Sequence, residues 1–383
     1  MKNSYKKGIL IAFGELFLKS EGVKKLFVKK LVFNIKFFLK DFNAKINLFH
    51  DRIFIEIPKK ETEALKTIKN VFGISWFSEA FLFENPSFED FSDFIKKNYK
   101  KWIKEKETFA LRIKNGLKTQ SKEEIINKIA KSIKRKVKLE NPDKEIFIET
   151  KEGRYFLYFN KIKGAGGLPS ACGEKVLVLM SGGIDSPVAS FLASKRGANN
   201  VWIHFHSFPL VSNKSIEKTR EIAQKFLKYQ TYLKVYFAPF QKAQLEIKSK
   251  IPAQYRVLVY RRLMFKIAEI IAKKENCFAL LTGESLGQVS SQTLPNINII
   301  EEAVKISVLR PVIGKDKEEI IEIAKKIDTY DISIKPQEDC CTLFVPKHSC
   351  AKGNIEEIKK LEKKINSKKI INEIMKEIKV ERY

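Results

Sequence analysis

Residues 181–186, with the sequence SGGIDS, have the types and spacing of a phosphate-binding loop. The adjacent Gly182 and Gly183 let the backbone approach an anion closely, while serine hydroxyls and the N–H groups of a helix start can donate hydrogen bonds to it. Asp185 adds a carboxylate suited to a magnesium ion that accompanies phosphates. The commoner ATP loop needs the pattern G-x-x-x-x-G-K-[ST], and its lysine is missing here. The residues therefore indicate a loop that binds pyrophosphate without the lysine of the commoner ATP loop.

The segments around this loop indicate the elements that hold it. Residues 176–180 form a short continuous apolar run, typical of a strand covered on both faces, and Pro187 stands where the first turn of a helix would begin. Apolar runs and helical periodicities continue to alternate beyond the loop. They predict strands at 176–180, 201–205, 232–237 and 277–282, and helices at 187–196, 213–228, 240–250 and 256–274. We therefore expect an α/β domain with a parallel sheet, in which ligands bind at the carboxyl ends of the strands.

Three groups of residues fall at those strand ends. His204 and Phe205 end the second strand, where an imidazole and an aromatic ring could flank an adenine, although a histidine of the core would give the same pattern. Arg261 and Arg262 lie on a helix expected to face the same edge, and arginine suits bidentate contact with phosphate. Residues 283–292, GESLGQVSSQ, follow the fourth strand and could bring backbone groups to a nucleotide, or form an ordinary polar turn.

The composition indicates a polyanionic partner. Among 383 residues, 73 Lys or Arg stand against 45 Asp or Glu, a formal net charge of +28. We infer nucleic acid rather than a membrane, because no apolar run reaches about 18 residues and no signal-peptide pattern opens the chain. The five cysteines form no C-x-x-C pair, so we expect a reduced, cytoplasmic protein without a disulfide framework.

The basic charge is concentrated before the phosphate-binding loop. Residues 1–60 hold 14 Lys or Arg against 5 Asp or Glu, and residues 96–140 hold 16 against 5. Periodicity predicts helices at 23–40 and 121–139, the second with Ser121 as N-cap, a hairpin at 46–57, and strands at 109–114, 146–149 and 155–160. The glycine-rich run at 163–169 is typical of a linker. We expect a mixed α+β half that binds nucleic acid and ends near residue 165.

Seven motifs, in order along the chain, are similar to those of the tRNA 4-thiouridine synthetase family. They are FGELFLKS at 13–20, GAGGLP at 164–169, SGGIDSPVA at 181–189, HFHSFP at 204–209, GESLGQVSSQT at 283–293, RPVIGKDKEEI at 310–320 and EDCCTLFVPKH at 338–348. The resemblance covers nearly the whole chain. It implies an N-terminal ferredoxin-like domain at 1–58, a tRNA-binding THUMP domain at 59–165, a linker at 166–173 and a PP-loop ATP pyrophosphatase domain at 174–383.

The resemblance also implies a reaction and the residues that carry it. Such an enzyme uses ATP to convert uridine 8 of tRNA to an AMP ester, releases pyrophosphate, and replaces the oxygen with sulfur from a cysteine persulfide. Cys341 matches the sulfur-carrying cysteine; Asp185 is expected to help organise Mg²⁺ and the phosphates, and no dedicated metal ligands are assigned. The residues expected to bind ATP are Leu179, Met180, Ser181, Gly182, Gly183, Asp185, Ser186, His204, Phe205, Arg261, Gly283 and Gln292.

The chain departs from the branch of the family in which a rhodanese domain with a second cysteine follows. Sulfur is therefore expected directly from a cysteine desulfurase, and the absence of that domain argues against the family's role in sulfur donation for the thiamine thiazole. Cys340, Cys350 and Cys172 remain candidates for the resolving cysteine. A metal or iron–sulfur site built from Cys172, Cys341 and Cys350 is an alternative. We expect a homodimer, since the family often forms one.

Two other functions stay open at this point. A PP-loop enzyme could use ammonia or a lysine as nucleophile or thiolate another uridine atom, and a non-catalytic tRNA-binding protein could retain a relic of the loop. The context of Cys341 and the basic front half argue against the ammonia-using synthetases. Ser181, Asp185 and Ser186 argue against a decayed loop, because the side chains that the chemistry needs are all present.

Overall fold

The computed structural model describes residues 5–15, 19–49, 51–58, 61–114, 122–336, 344 and 350–383. The chain divides into two compact units, Met1–Gly167 and Leu168–Tyr383. The predicted N-cap Ser121 and the cysteines Cys340 and Cys341 lie outside the described residues. None of the helices in the described ranges is long and apolar enough to cross a membrane.

The first unit is an α+β fold built on one sheet. Its strands are β1 (Tyr5–Phe13), β2 (Lys45–Phe49), β3 (Arg52–Glu56), β4 (Ile74–Glu84), β5 (Phe109–Lys114), β6 (Lys144–Lys151), β7 (Arg154–Phe159) and β8 (Ile162–Lys163). Its helices are α1 (Glu21–Phe38), α2 (Glu61–Ile68), α3 (Phe88–Trp102) and α4 (Lys122–Ser132). The strand order is β2-β3-β1-β4-β7-β6-β5, with β8 paired to the beginning of β4. Only β5 and β6, joined by α4, are parallel among the described pairs.

The two faces of this sheet are covered differently. Helices α3 and α4 pack their apolar sides on the face formed by alternate residues of β4 to β7, such as Leu157. On the opposite face the sheet curls, so that the Phe49 and Phe156 rings lie 5.7 Å apart. The same curl brings the Arg52 guanidinium within 3.1 Å of the buried Glu149 carboxylate. The predicted hairpin and strands of this half are present. The apolar core of the unit lies on both faces of its one sheet.

One predicted helix of this unit is shorter than expected. The prediction extended it to residue 139, whereas α4 ends at Ser132. Beyond it, Phe109 N donates to Lys136 O at 3.0 Å and Lys138 N donates to Phe109 O at 2.9 Å. Val137 thus pairs in parallel with the edge of β5. Backbone hydrogen bonds to that edge override the helical periodicity, because helix propensity is a weak local preference.

The second unit is an α/β fold. Its strands are β9 (Lys175–Leu179), β10 (Asn199–His206), β11 (Lys234–Pro239), β12 (Cys277–Leu281), β13 (Ser307–Leu309) and β14 (Lys379–Arg382). Its helices are α5 (Asp185–Lys195), α6 (Lys214–Phe226), α7 (Gln241–Lys250), α8 (Arg256–Lys274), α9 (Leu294–Glu301), α10 (Lys317–Lys326), α11 (Tyr330–Ser333), α12 (Ile355–Glu362) and α13 (Ser367–Glu377). Each predicted strand and helix of this half is present, with its ends within two residues of the prediction.

The sheet of the second unit has the order β13-β12-β9-β10-β11-β14, and every pair except β11 with β14 is parallel. The chain leaves β9 toward β10 and β11 and later returns to the other side of β9 as β12. The carboxyl ends of β9 and β12 therefore flank a point where the direction of strand addition reverses, which is where ligands bind in such sheets. The predicted parallel sheet is confirmed, and this edge carries the candidate site.

Candidate active site

The phosphate-binding loop lies where β9 ends and α5 begins. Ser186 Oγ accepts a hydrogen bond from Ser181 N at 3.1 Å and lies 3.1 Å from Ser181 Oγ, and Ser181 Oγ accepts one from Gly183 N at 3.2 Å. Gly182 has a φ of 76°, a conformation that any side chain would strain. The serines thus hold the backbone in a turn that leads directly into the helix. A phosphate at this helix start would meet several backbone N–H groups at once.

Leu179 and Met180 join this loop to the sheet. Leu179 ends β9 half-buried, and Met180 is 2% exposed. Met180 N donates to Ile203 O at 2.8 Å, and the Ser186 hydroxyl lies 3.2 Å from Met180 Sδ. These contacts couple the loop to the end of β10.

The segment that follows β12 packs against the beginning of α5. A Cβ atom on Gly283 would lie 2.6 Å from Ser186 N, so only glycine fits at this approach. Further along, Gln292 Oε1 accepts a hydrogen bond from Ser285 N at 3.3 Å, and Gln292 O accepts one from Gly287 N at 3.0 Å. Gly283 and Gln292 therefore belong to one closed segment that borders the phosphate-binding loop.

Asp185 is held by two side chains from distant parts of the chain. Lys317 Nζ donates to Asp185 Oδ1 at 2.7 Å, and Gln288 Nε2 donates to Asp185 Oδ2 at 3.2 Å. Lys317 begins α10, whose N-terminus is fixed by a capping box between Asp316 and Glu319. The carboxylate at the start of α5 thus has a cation on one oxygen and an amide on the other.

Helix α11 brings a third part of the chain to the loop. The Ser333 hydroxyl donates to Gly183 O at 3.3 Å. Behind it, the ammonium group of the buried Lys218 of α6 donates hydrogen bonds to Ser333 O at 3.0 Å and to Lys335 O. Such a cation at the carboxyl end of a short helix satisfies carbonyls that have no partner within the helix. Lys218 therefore helps to hold α11, and with it Ser333, beside the loop.

His204 and Phe205 point to opposite faces of the sheet. His204 is 2% exposed; its Nδ1 lies 2.9 Å from Met180 O and its Nε2 lies 3.2 Å from Ser215 Oγ. The Phe205 ring instead packs in the apolar core, 5.6 Å from the Phe240 ring. The prediction that an imidazole and a ring flank one adenine together is therefore wrong, because successive side chains of a strand alternate between faces.

Burial lowers the pKa of His204 to about 4, although its hydrogen bond with Met180 O favours the protonated form. Since a carbonyl oxygen can only accept, Nδ1 must carry the proton and Nε2 accepts from the Ser215 hydroxyl. Burial likewise lowers the pKa of His206, on the same face of β10, to about 4. Both imidazoles are therefore neutral near pH 7.

The neutral state of His204 makes the stability of the protein depend on pH. Because its folded pKa is depressed, the unfolded chain binds more protons as the pH falls from about 6.5 toward 4, so the free energy of unfolding falls over this range. Between pH 7 and pH 5 the loss from this residue is about 2 kcal/mol. We expect His204→Asn to remove that part of the pH dependence in denaturant unfolding experiments. Unfolding curves of wild type and variant that stay parallel between these pH values would contradict this assignment.

Arg261 contacts a buried carboxylate that also binds a second arginine. Glu284, next to Gly283, accepts a hydrogen bond from Arg261 Nη2 on one oxygen. Its other oxygen accepts from Arg310 Nε at 2.8 Å and from the Thr282 hydroxyl at 2.9 Å. Burial raises the pKa of Glu284, but the charges of Arg261 and Arg310 and the hydrogen bonds outweigh it and hold that pKa below its usual value.

Arg262 does not face this edge. It is 2% exposed, and its guanidinium contacts Glu362 at 2.9 Å, Glu302 at 3.0 Å and Ile299 O. One residue turns a helix by about 100°, so neighbouring side chains on α8 leave in different directions. The expectation that both arginines face the nucleotide edge is therefore wrong for Arg262.

The described cysteines lie in three separate surroundings. Cys277 is buried in β12, where burial raises its pKa to about 11. Cys172 lies against Gly197, which follows α5. Cys350 donates its backbone N–H to Gln254 O at 3.1 Å. Within the described ranges, no three His, Cys, Asp or Glu side chains gather to hold a metal ion.

The structure thus brings most of the predicted nucleotide residues to one edge and adds others that sequence reasoning missed. The added residues are Lys317, Gln288, Glu284, Arg310 and Ser333. Lys317 and Arg310 lie within the motif at 310–320, and Gln288 and Glu284 within the motif at 283–293. The motifs therefore indicated the segments that contribute to the site. Which residue of each motif contacts the loop could be seen only in the folded structure.

Comparisons with known proteins point to one family along the whole chain. The family model described as "Thiamine biosynthesis protein (ThiI)" matches residues 171–367, the ThiI ferredoxin-like domain matches 8–78, and the THUMP domain matches 86–160. A protein from Caldanaerobacter subterraneus subsp. tengcongensis, named "Probable tRNA sulfurtransferase", is 39% identical over 381 residues. That alignment covers 97% of this chain and 98% of the relative.

Solved structures agree with these matches. A crystal structure of a 4-thiouridine synthetase–RNA complex with bound ATP has a TM-score of 0.91 and 33% identity, and covers 98% of this chain and 99% of that one. A protein from Pyrococcus horikoshii Ot3 shares the fold, with a TM-score of 0.65, 23% identity, and coverage of 84% of this chain and 99% of that one. The expected combination of a ferredoxin-like domain, a THUMP domain and a PP-loop domain is confirmed. The chain therefore belongs to the ThiI family of tRNA sulfurtransferases.

Proposed function

We propose that the protein transfers sulfur to uridine 8 of tRNA at the expense of ATP, giving 4-thiouridine, AMP and pyrophosphate. The observation that carries this proposal is the SGGIDS loop, closed by hydrogen bonds between Ser181 and Ser186, where the strand order of a parallel sheet reverses. A structurally similar 4-thiouridine synthetase binds RNA and ATP, and a relative is named as a probable tRNA sulfurtransferase. Both relationships support tRNA and ATP as substrates.

The loop would bind the part of ATP that leaves. Its backbone N–H groups and the hydroxyls of Ser181 and Ser186 form a donor surface at the start of α5, which favours negative charge on pyrophosphate. Arg261, Gly283 and Gln292 would border the rest of the nucleotide from the segment after β12. His204 and Phe205 would contribute through the backbone at the end of β10, because both side chains are buried.

A magnesium ion fits this site as a companion of the phosphates. Asp185 offers one half-buried carboxylate at the loop, and Lys317 already places a cation 2.7 Å from its Oδ1. Magnesium commonly binds through one or two carboxylates together with substrate phosphates. When bound, the ion would neutralise charge on the phosphate oxygens. Asp185 would hold it, and Gln288 would orient the carboxylate.

Activation solves a chemical problem of the uracil ring. The C4 oxygen is a poor leaving group, so it attacks the α-phosphorus of ATP, forms an oxygen–phosphorus bond and displaces pyrophosphate. The terminal sulfur of a persulfide on Cys341 then attacks C4, and AMP leaves with the oxygen. A second thiol attacks the Cys341 sulfur, which frees the thiocarbonyl and forms a disulfide that an external thiol reduces. Cys340, Cys350 and Cys172 are the candidates for that second thiol.

The remaining partners follow from this chemistry. The persulfide requires a sulfur donor, for which we propose a cysteine desulfurase. The tRNA would contact the basic front unit, where residues 1–60 and 96–140 carry an excess of lysine and arginine. We also propose a homodimer and a cytoplasmic location, where thiols stay reduced.

The test is a reconstituted thiolation assay. We expect unmodified tRNA, ATP, cysteine with a cysteine desulfurase, and a reducing thiol to give an absorbance increase in the thiouridine band, with AMP and pyrophosphate as the nucleotide products. An ammonia-using enzyme would give no thiouridine band, and a non-catalytic tRNA-binding protein would bind tRNA without consuming ATP. Either result would refute the proposed function.

A further inference from the structure

Glu284 joins three segments that meet beside the phosphate-binding loop. Its side chain is 2% exposed, and both oxygens are bonded, one to Arg261 of α8 and the other to Arg310, which follows β13. Thr282, at the end of β12, adds a third hydrogen bond at 2.9 Å. A buried carboxylate shared by two guanidinium groups restrains both of them, because its loss would take an ion-pair partner from each in a buried site.

This carboxylate lies between the residues that we assign to ATP. On its N-terminal side is Gly283, which lies so close to the start of α5 that a Cβ atom would lie 2.6 Å from Ser186 N. On its C-terminal side is Ser285, whose backbone N–H donates to Gln292 Oε1 at 3.3 Å. Arg261 reaches the same point through its bond with Glu284. The Glu284 side chain therefore bonds directly to Arg261, and in the chain it lies between Gly283 and the Ser285 that bonds Gln292.

We propose that Glu284 is a positioning residue for ATP, which acts by holding the Arg261 guanidinium beside the phosphate-binding loop. This inference rests on the proposed function, since it takes Arg261 as a contact of the nucleotide. Arg310 has the separate task of keeping Glu284 paired from the side away from Arg261. It binds a second carboxylate, Glu301 of α9, at 2.7 Å.

Glu301 supplies a matched control. It binds the same Arg310 guanidinium as Glu284, but its side chain is 42% exposed. We expect Glu284→Gln to raise the dissociation constant of ATP by about tenfold or more, and Glu301→Gln to change it by less than about twofold. Equilibrium dialysis with ATP measures both, and tRNA affinity should stay at the wild-type value in each variant. Equal ATP affinities in Glu284→Gln and wild type would overturn the inference.

A double-mutant cycle separates positioning from a general loss of stability. If Glu284 acts through Arg261, the variant Arg261→Gln with Glu284→Gln should bind ATP no more weakly than Arg261→Gln alone. Additive losses would overturn the inference.

If Glu284→Gln does not fold, the variant Thr282→Val tests the role of Glu284 instead, because it removes one hydrogen bond to Glu284 and keeps every charge. We then expect ATP to bind about threefold more weakly, and unchanged binding would refute the role.

The same measurements distinguish this inference from the proposed function. A wild-type protein that binds ATP but forms no 4-thiouridine would refute the proposed function, and the comparison of ATP affinities would still test Glu284. A wild-type protein that forms 4-thiouridine, with unaltered ATP affinity in Glu284→Gln, would refute the Glu284 role alone.

Discussion

Asp185→Ala is expected to abolish the activation of tRNA, with a loss of at least about a hundredfold in the rate of tRNA-dependent AMP formation. The carboxylate stands at the first residue of α5, where Lys317 and Gln288 hold both of its oxygens. Its removal leaves the Lys317 ammonium without its partner and takes away the carboxylate that we assign to magnesium. The measurement is a chromatographic assay of AMP and pyrophosphate after incubation with ATP and tRNA.

The effect should be confined to catalysis. Affinity for tRNA should change by less than about twofold, because we assign tRNA binding chiefly to the basic front unit. Asp331→Ala is a matched control, since Asp331 is an exposed aspartate of α11, two residues before the Ser333 that contacts the loop. Wild-type rates in Asp185→Ala, or ADP and phosphate as the tRNA-dependent products of the wild type, would contradict this assignment.

Cys341→Ser is expected to remove desulfurase-driven thiolation of tRNA while the adenylated intermediate still forms. Activation uses the loop at 181–186, so it does not need a thiol, whereas sulfur transfer requires a thiolate that accepts sulfur.

Cys341 itself lies outside the described residues, and the described residues nearest to it in the chain are Pro336 and Phe344. Phe344 O accepts a hydrogen bond from Arg256 Nη1 at 3.2 Å, and Lys248 Nζ lies 4.0 Å from its ring centroid.

Cys277→Ser is the control for this experiment. Burial in β12 raises the Cys277 pKa to about 11, so little thiolate is present near pH 7 and sulfur transfer should not depend on it. Mass spectrometry of the persulfidated protein, together with a thiouridine assay for each single variant, measures the outcome. If Cys341→Ser keeps full desulfurase-driven activity, the carrier assignment is wrong and Cys340 or Cys350 becomes the leading candidate.

Features that depend on neighbouring residues could be predicted from the sequence alone. The apolar run before SGGIDS predicted a strand, the loop and α5 followed, and the alternation beyond it predicted the parallel sheet that the structure has. The family could be predicted as well, because its motifs are short runs of adjacent residues. These predictions hold because strand and helix periodicity and the conformation of a glycine turn are set within a few residues.

Other features depended on how the sheet assembles. Lys317 reaches Asp185 across 132 residues of sequence, and Gln288 reaches it across 103. Arg261 faces Glu284 while Arg262 faces Glu302 and Glu362, and nothing in the residue types distinguishes the two arginines. Strand β14 was not predicted, because Lys379–Arg382 is short and polar and pairs with β11 only because that edge is available.

The sequence by itself therefore determined the family, the strands and helices from β9 to β12, and the loop to which we assign phosphate binding. The tertiary structure decided which charged side chains meet at that loop. The physical reason is that local periodicity specifies the face of an element, whereas a hydrogen bond between residues a hundred positions apart exists only when strand order brings their elements together.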